Sequence, residues 1–251
     1  MRYFLYFAYN GAGFHGWQRQ PNALSVQEVM EDALSVVLRS ETSLTAAGRT
    51  DAGVHAALMV AHFDTIAPIA DKARFCLRLN SLLPKTIAVS CLRRVQPSAH
   101  ARFDAVSRKY EYRTTMQKDP FRYGLTTPLP KNLDFSLMNI AAERLLMQTD
   151  FASFCKVHTD VKTTVCHLTE ARWLQTDGQW VFHIRADRFL RNMVRAIVGT
   201  LFDVGSGRTS LADLENILSA AHRTAAGMSV PAQGLFLVDV TYPDSVFMEE
   251  D

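Results

Sequence analysis

Four cysteines, Cys76, Cys91, Cys155 and Cys166, lie far apart and form no CxxC pair. That spacing excludes a zinc ribbon and points to reduced, buried thiols. No apolar run approaches the length needed to cross a bilayer. The apolar N-terminus, MRYFLYFAYNG, lacks the long h-region and cleavage site of a signal peptide. It reads as a first strand, so the expected location is the cytoplasm. Charge is equally unremarkable in bulk, at +2 from 27 basic and 25 acidic residues. A nucleic-acid partner is not announced by that sum. No low-complexity linker divides the 251 residues. The length suits one large domain or two small ones.

The distribution of charge says more than its total. Arg93, Arg94, Arg102, Arg108, Lys109 and Arg113 fall close together, and Arg185, Arg188, Arg191 and Arg195 form a second cluster. The acidic stretch from Asp244 to Asp251 offsets them. Local basic patches on a near-neutral chain suit selected contacts with a phosphate backbone. On charge alone, solvated arginines explain them as well.

Periodicity orders the first half as strand, helix, strand, strand, helix, strand. Tyr3–Tyr9 reads as a strand. Ser25–Leu38 reads as a helix, with Val26, Val29, Met30, Ala33, Leu34 and Val37 on one face and Ser25 with Glu28 as a capping box. Strands are expected at Ser43–Ala47 and Ala57–Phe63, a helix at Asp71–Leu83 and a strand at Thr86–Val95. The second half repeats the order: a strand at Ser107–Thr115, a helix at Phe135–Gln148, and strands at Thr163–Leu174 and Gln179–Ala186 about a Thr176-Asp177-Gly178 turn. Helices at Phe189–Val204 and Leu211–Ala221 follow, the latter behind a Ser210/Asp213 cap, and a last strand covers Gly234–Tyr242. The expected class is α+β, built from two ferredoxin-like βαββαβ halves, 1–105 and 106–251, whose sheets join.

The densest chemistry is Gly48-Arg49-Thr50-Asp51-Ala52-Gly53-Val54-His55-Ala56, a tight loop between two strands. Asp51 could be a nucleophile or base, held ionised by Arg49. An aspartate in a glycine-flanked turn equally often just bonds its own backbone. The segment Asn10–Gln20 is also glycine-rich, with Gly11, Gly13 and Gly16. A dinucleotide-binding reading fails there, because the helix begins well after the third glycine. Trp17, Gln18 and Arg19 suit stacking and phosphate contact, although a lone Trp is more commonly a core anchor. Tyr110 and Tyr112 share one strand face inside the first basic stretch and could carry unstacked bases; for Tyr112 packing in the sheet is preferred. Arg188, Arg191 and Arg195 are placed as a stripe on the helix that begins at Phe189. Arg195, mid-helix beside the apolar face, needs an anionic partner if partly buried.

GRTDAGVHA at 48–56 resembles the signature of the tRNA pseudouridine synthase A family. YNGAGFHGWQRQ at 9–20, SVQEVME at 25–31, HARFDAVSRKYEYR from His100, DFASF at 150–154, FLRNMVRAIVGTL at 189–201 and GLFLVDVTYP at 234–243 match in the same order. Asn10 departs from the aspartate more usual there. The resemblance implies two α+β halves with merged sheets and a cleft between them. It maps the catalytic aspartate onto Asp51, the base-packing tyrosine onto Tyr110 and the carboxylate-pairing arginine onto Arg195, with Arg49 nearby. Arg49, Gln18, Arg19, Arg108 and Arg191 are the expected substrate-binding residues. The implied substrate is the tRNA anticodon stem-loop at positions 38 to 40, with no cofactor or metal and with a homodimer as the working form. A non-catalytic RNA-binding protein and a nucleotide-binding oxidoreductase are the rival classes.

Overall fold

The computed structural model describes residues 1–156, 162–220 and 226–249. The chain separates into two compact units, Met1–Ser107 together with Leu237–Asp251, and Arg108–Phe236. Both are α+β.

In the first unit, β1 (Arg2–Tyr9) lies between β3 (His55–Asp64) and β4 (Ile87–Val95), antiparallel to both. The short β2 (Thr45–Ala46) adds to β3, so the order is β4-β1-β3-β2. The register sets Arg2 opposite Asp64, and their side chains pair at 2.8 Å. β3 is buried continuously from Met59 to Phe63, so both of its faces are covered there, as expected of a central strand. Helix α1 (Val26–Leu38) follows its predicted bounds. The Ser25 side chain accepts the Glu28 N–H at 3.2 Å, Val26, Met30, Ala33, Leu34 and Val37 are buried, and Arg39 ends the helix at φ 57°. Helix α2 (Lys72–Leu82) starts behind Asp71, which accepts the Arg74 N–H at 2.8 Å. The C-terminal segment is tied in by Val106 N–H to the Thr241 carbonyl (2.9 Å) and Gln96 N–H to the Val246 carbonyl (2.9 Å). β2 is shorter than the five residues expected: only two of them reach the ladder.

In the second unit, β5 (Ser107–Thr115), β8 (Gln179–Ala186) and β7 (Leu168–Thr176) form an antiparallel ladder in that order. β6 (Thr127–Pro128) runs parallel to β5. Asp177 at φ 49° and Gly178 at φ 72° close the β7–β8 hairpin, as the Asp-Gly pair predicts. Helix α3 (Phe135–Leu146) is bound to β7 by Asn139, whose amide exchanges hydrogen bonds with the Trp173 backbone at 2.7 and 3.2 Å. Helix α5 (Leu211–Ala220) opens on a reciprocal Ser210/Asp213 cap; the expected last residue, Ala221, lies outside the described residues. β9 (Leu235–Thr241), which from Leu237 onward belongs to the first unit and pairs with β3 there, completes the nine strands and five α-helices of the described residues.

Two expectations are corrected. β7 starts at Leu168 and not at Thr163, because the preceding residues bond a neighbouring loop: Cys166 N–H reaches the Thr149 carbonyl and Val165 bridges Asp150. Helix α4 runs Met193–Gly205 and does not begin at Phe189. Asn192 takes a left-handed conformation at φ 66°, which an asparagine tolerates but which no α-helix continues through. Arg188 and Arg191 therefore precede the helix, and the stripe predicted with Arg195 does not exist.

Candidate active site

Asp51 sits in the β2–β3 loop, half-buried, with Arg49 exposed two residues before it. The loop is held from both ends. The Tyr9 hydroxyl shares a 2.8 Å hydrogen bond with Thr50 Oγ1. Trp17 N–H donates to the Thr50 carbonyl (3.1 Å), Gly53 N–H to the Phe14 carbonyl (3.3 Å), and Gly11 N–H to His55 Nδ1 (3.0 Å). Val54 N–H closes on the Asp51 carbonyl at 3.1 Å, with Gly53 at φ 78°. Gly11 and Gly16, but not Gly13, are required by this approach. A Cβ at Gly11 would lie 2.0 Å from the Val54 carbonyl oxygen, and one at Gly16, whose φ is +91°, would lie 2.5 Å from that of Thr50. They dock one loop on the other, which removes the reason for reading them as a nucleotide cradle. Trp17 is 3% exposed and stands 5.6 Å from the Phe7 ring, a core anchor. Gln18 and Arg19 follow it to the surface; Arg19 faces Asp32 (3.2 Å), Glu31 (3.7 Å) and Glu28 (3.9 Å) on α1.

This docking makes a prediction. Gly16→Ala strains a left-handed backbone and drives a methyl into the Thr50 carbonyl. It is expected to cost ~1–3 kcal/mol of stability, read as a lower melting temperature, and to depress turnover more than substrate binding because Asp51 moves with Thr50. Unchanged melting and turnover would contradict it.

The second unit holds the other candidates. Tyr110, half-buried on β5, meets Phe189 edge-to-face, centroids 5.1 Å apart at 88°. Tyr112, two residues on, is fully buried, and its hydroxyl bonds Thr127 Oγ1 (2.9 Å) and donates to the Pro231 carbonyl (3.0 Å). Burial raises its pKa to about 12, against the opposing pull of Thr127 and the Arg195 charge. The preference for Tyr112 as a packing residue holds. Arg195, on the first turn of α4, donates Nε to the Val230 carbonyl at 2.7 Å, while Val230 N–H returns to the Arg195 carbonyl at 3.2 Å. A carbonyl thus takes part of the partnership that burial demands. Arg108 donates to the Asp187 carbonyl at 2.8 Å, and Arg191 is exposed.

Comparison with known proteins covers the full length of the chain. A family profile described as tRNA pseudouridine synthase matches residues 141–243. The tRNA pseudouridine synthase A of Parabacteroides distasonis is 55% identical over 250 residues, spanning 100% of this chain and 99% of its own. Those of Porphyromonas gingivalis (53%, spanning 98% and 99%) and Bacteroides thetaiotaomicron (50%, spanning 99% and 93%) are similar over the same extent. The chain belongs to the tRNA pseudouridine synthase A family. Its reaction class is isomerisation, uridine to pseudouridine in tRNA. Among the described residues no helix is long and apolar enough to cross a membrane, and no three His, Cys, Asp or Glu side chains are grouped to hold a metal ion.

The segment before α4 is more extensively hydrogen-bonded than its sequence suggests. Asp187 accepts the N–H groups of His167 (2.8 Å) and Arg188 (2.7 Å), and its carbonyl receives Arg108. Asn192 donates from Nδ2 to Ser229 Oγ at 2.6 Å. Asp187, Phe189 and Val230 thus contact Arg108, Tyr110 and Arg195 respectively, Asn192 ties the turn before α4 to Ser229, and none of the four was singled out from the sequence. The detectable signal was the polar run Asp187-Arg188 ahead of a supposed helix start, and the Asn in its first turn.

Proposed function

We propose that the chain converts uridine to pseudouridine in the anticodon stem-loop of tRNA, at positions 38, 39 and 40, with Asp51 as the catalytic carboxylate. The reading is carried by the GRTDAGVHA loop at 48–56, whose aspartate is fixed by docked backbone on a chain that matches its relatives end to end. The reaction breaks the N1–C1′ bond, turns the uracil and forms a C5–C1′ bond. The C5 proton leaves to solvent and N1 gains one, so nothing is oxidised and no cofactor is required. A carboxylate can act as nucleophile or base in this sequence. The target base leaves its stack to reach it. Tyr110 packs on the base and assists loss of the C5 proton. Arg195 and Arg49 serve to keep the carboxylate ionised. Gln18, Arg19, Arg108 and Arg191 bind the RNA, the working form is a homodimer, and the location is the cytoplasm. Mapping pseudouridine in unmodified tRNA incubated with the purified protein tests the reading: modification confined to 38–40 is expected, and none, or modification elsewhere, contradicts it.

Binding is expected to weaken with salt, since each neutralised phosphate releases counterions. Exposed Arg191 makes Arg191→Ala the cleanest probe. Its plot of log K against log salt should be shallower by about one, with the chemical step at saturating RNA unchanged. Filter binding between low and moderate salt checks this; an identical slope removes Arg191 from the phosphate contacts.

A further inference from the structure

Residues 99–104 hold an aromatic ring out to solvent on a braced turn. Phe103 is 73% exposed. One exposed apolar side chain needs no explanation; the framework beneath this one does. Arg2 donates to the Ala99 carbonyl (2.9 Å), the Tyr242 hydroxyl donates to that of Ala101 (2.6 Å), and Ala101 N–H donates to His62 Nδ1 (3.1 Å). His100 N–H donates to the Asp104 carboxylate (2.7 Å), and Asp104 N–H returns to the His100 carbonyl (3.0 Å). His100 Nδ1 faces the N–H groups of Arg102 (3.1 Å) and of Phe103 itself (3.3 Å). Rings continue the brace from core to surface: Phe4 to His62 at 6.5 Å, His62 to His100 at 4.7 Å and His100 to Phe103 at 4.2 Å. Burial lowers the basicity of both histidines, that of His62 to about 4. The Arg102 guanidinium lies 5.6 Å from the Phe103 centroid.

We propose that Phe103, with Arg102 beside it, is a stacking platform for an unpaired nucleobase of the tRNA substrate other than the target uridine. The inference rests on the tRNA reading above. An open aromatic face stacks on any base, and an adjacent guanidinium can stack with it or meet the neighbouring phosphate. The braced turn has little freedom left to lose on binding. The chemistry also creates the ligand: once the target base is extruded, a loop neighbour loses a stacking partner that a protein ring can replace.

The test uses the full chain and an anticodon stem-loop RNA with 2-aminopurine in the loop beside the target. Phe103→Ala is expected to weaken stem-loop binding roughly 5- to 150-fold, to alter the 2-aminopurine signal of the complex, and to keep wild-type melting and the single-turnover rate at saturating RNA. Phe103→Trp is expected to restore affinity. A blunt duplex should bind wild type and Phe103→Ala equally. Stem-loop affinity within twofold of wild type in Phe103→Ala overturns the platform. So does a weakened affinity with collapsed melting that Phe103→Trp fails to rescue, and so does a change in sedimentation without a change in RNA affinity, which assigns the ring to a protein contact. Wild type that neither binds nor isomerises the stem-loop defeats the tRNA reading instead.

Discussion

Tyr110→Phe is expected to lower the single-turnover rate by ~10²–10⁴-fold while leaving tRNA affinity near that of wild type. The ring remains, and its edge-to-face contact with Phe189 does not involve the hydroxyl. What is lost is the hydroxyl proposed to assist proton removal at C5. Tyr112→Phe is the matched control on the same strand. Its hydroxyl serves Thr127 and the Pro231 carbonyl in the interior, so deleting it leaves buried polar atoms without their partner. That costs ~1–3 kcal/mol of stability and spares the chemical step. Melting curves and single-turnover kinetics on both variants separate the roles. A Tyr110→Phe rate within a few-fold of wild type would reduce Tyr110 to a packing residue.

The contrast between these tyrosines also marks what could be read from the chain beforehand. Period and capping placed α1 within a residue, because Ser25 and one apolar face act locally. The Asp-Gly hairpin was equally local. The start of α4 was not, because the left-handed turn at Asn192 goes with a bond to Ser229, 37 residues on. A sequence window sees Phe189–Val204 as one apolar period and misses the break. The glycines at 11 and 16 were legible as unusual, but their purpose lies in the 50–54 backbone, which only the folded chain brings so close that a Cβ at either position would fall within 3 Å of it. Arg19 read as an exposed cation near a tryptophan; the acids that surround it lie a helix turn or more further along, on a face that has to fold first. The Asp51 loop itself was the most legible feature, since its chemistry is contiguous in sequence.

Asp51→Asn is expected to abolish isomerisation, by roughly 10⁴-fold or more, with the fold and tRNA affinity retained. The amide keeps the shape of the carboxylate but is neither a useful nucleophile nor a base. The loop should survive, because the hydrogen bonds that fix it run through Thr50 and the backbones of residues 11–17, 50 and 53–54, and not through that side chain alone. Affinity should survive because phosphate contacts supply most of it, and removing a negative charge near RNA favours binding if anything. The most direct measurement is tritium release from tRNA carrying C5-tritiated uridine, run on Asp51→Asn beside wild type with filter binding and melting on the same samples. Wild type should release tritium while Asp51→Asn binds the tRNA, melts normally and releases none; release near the wild-type rate from Asp51→Asn would contradict the assignment of the catalytic carboxylate.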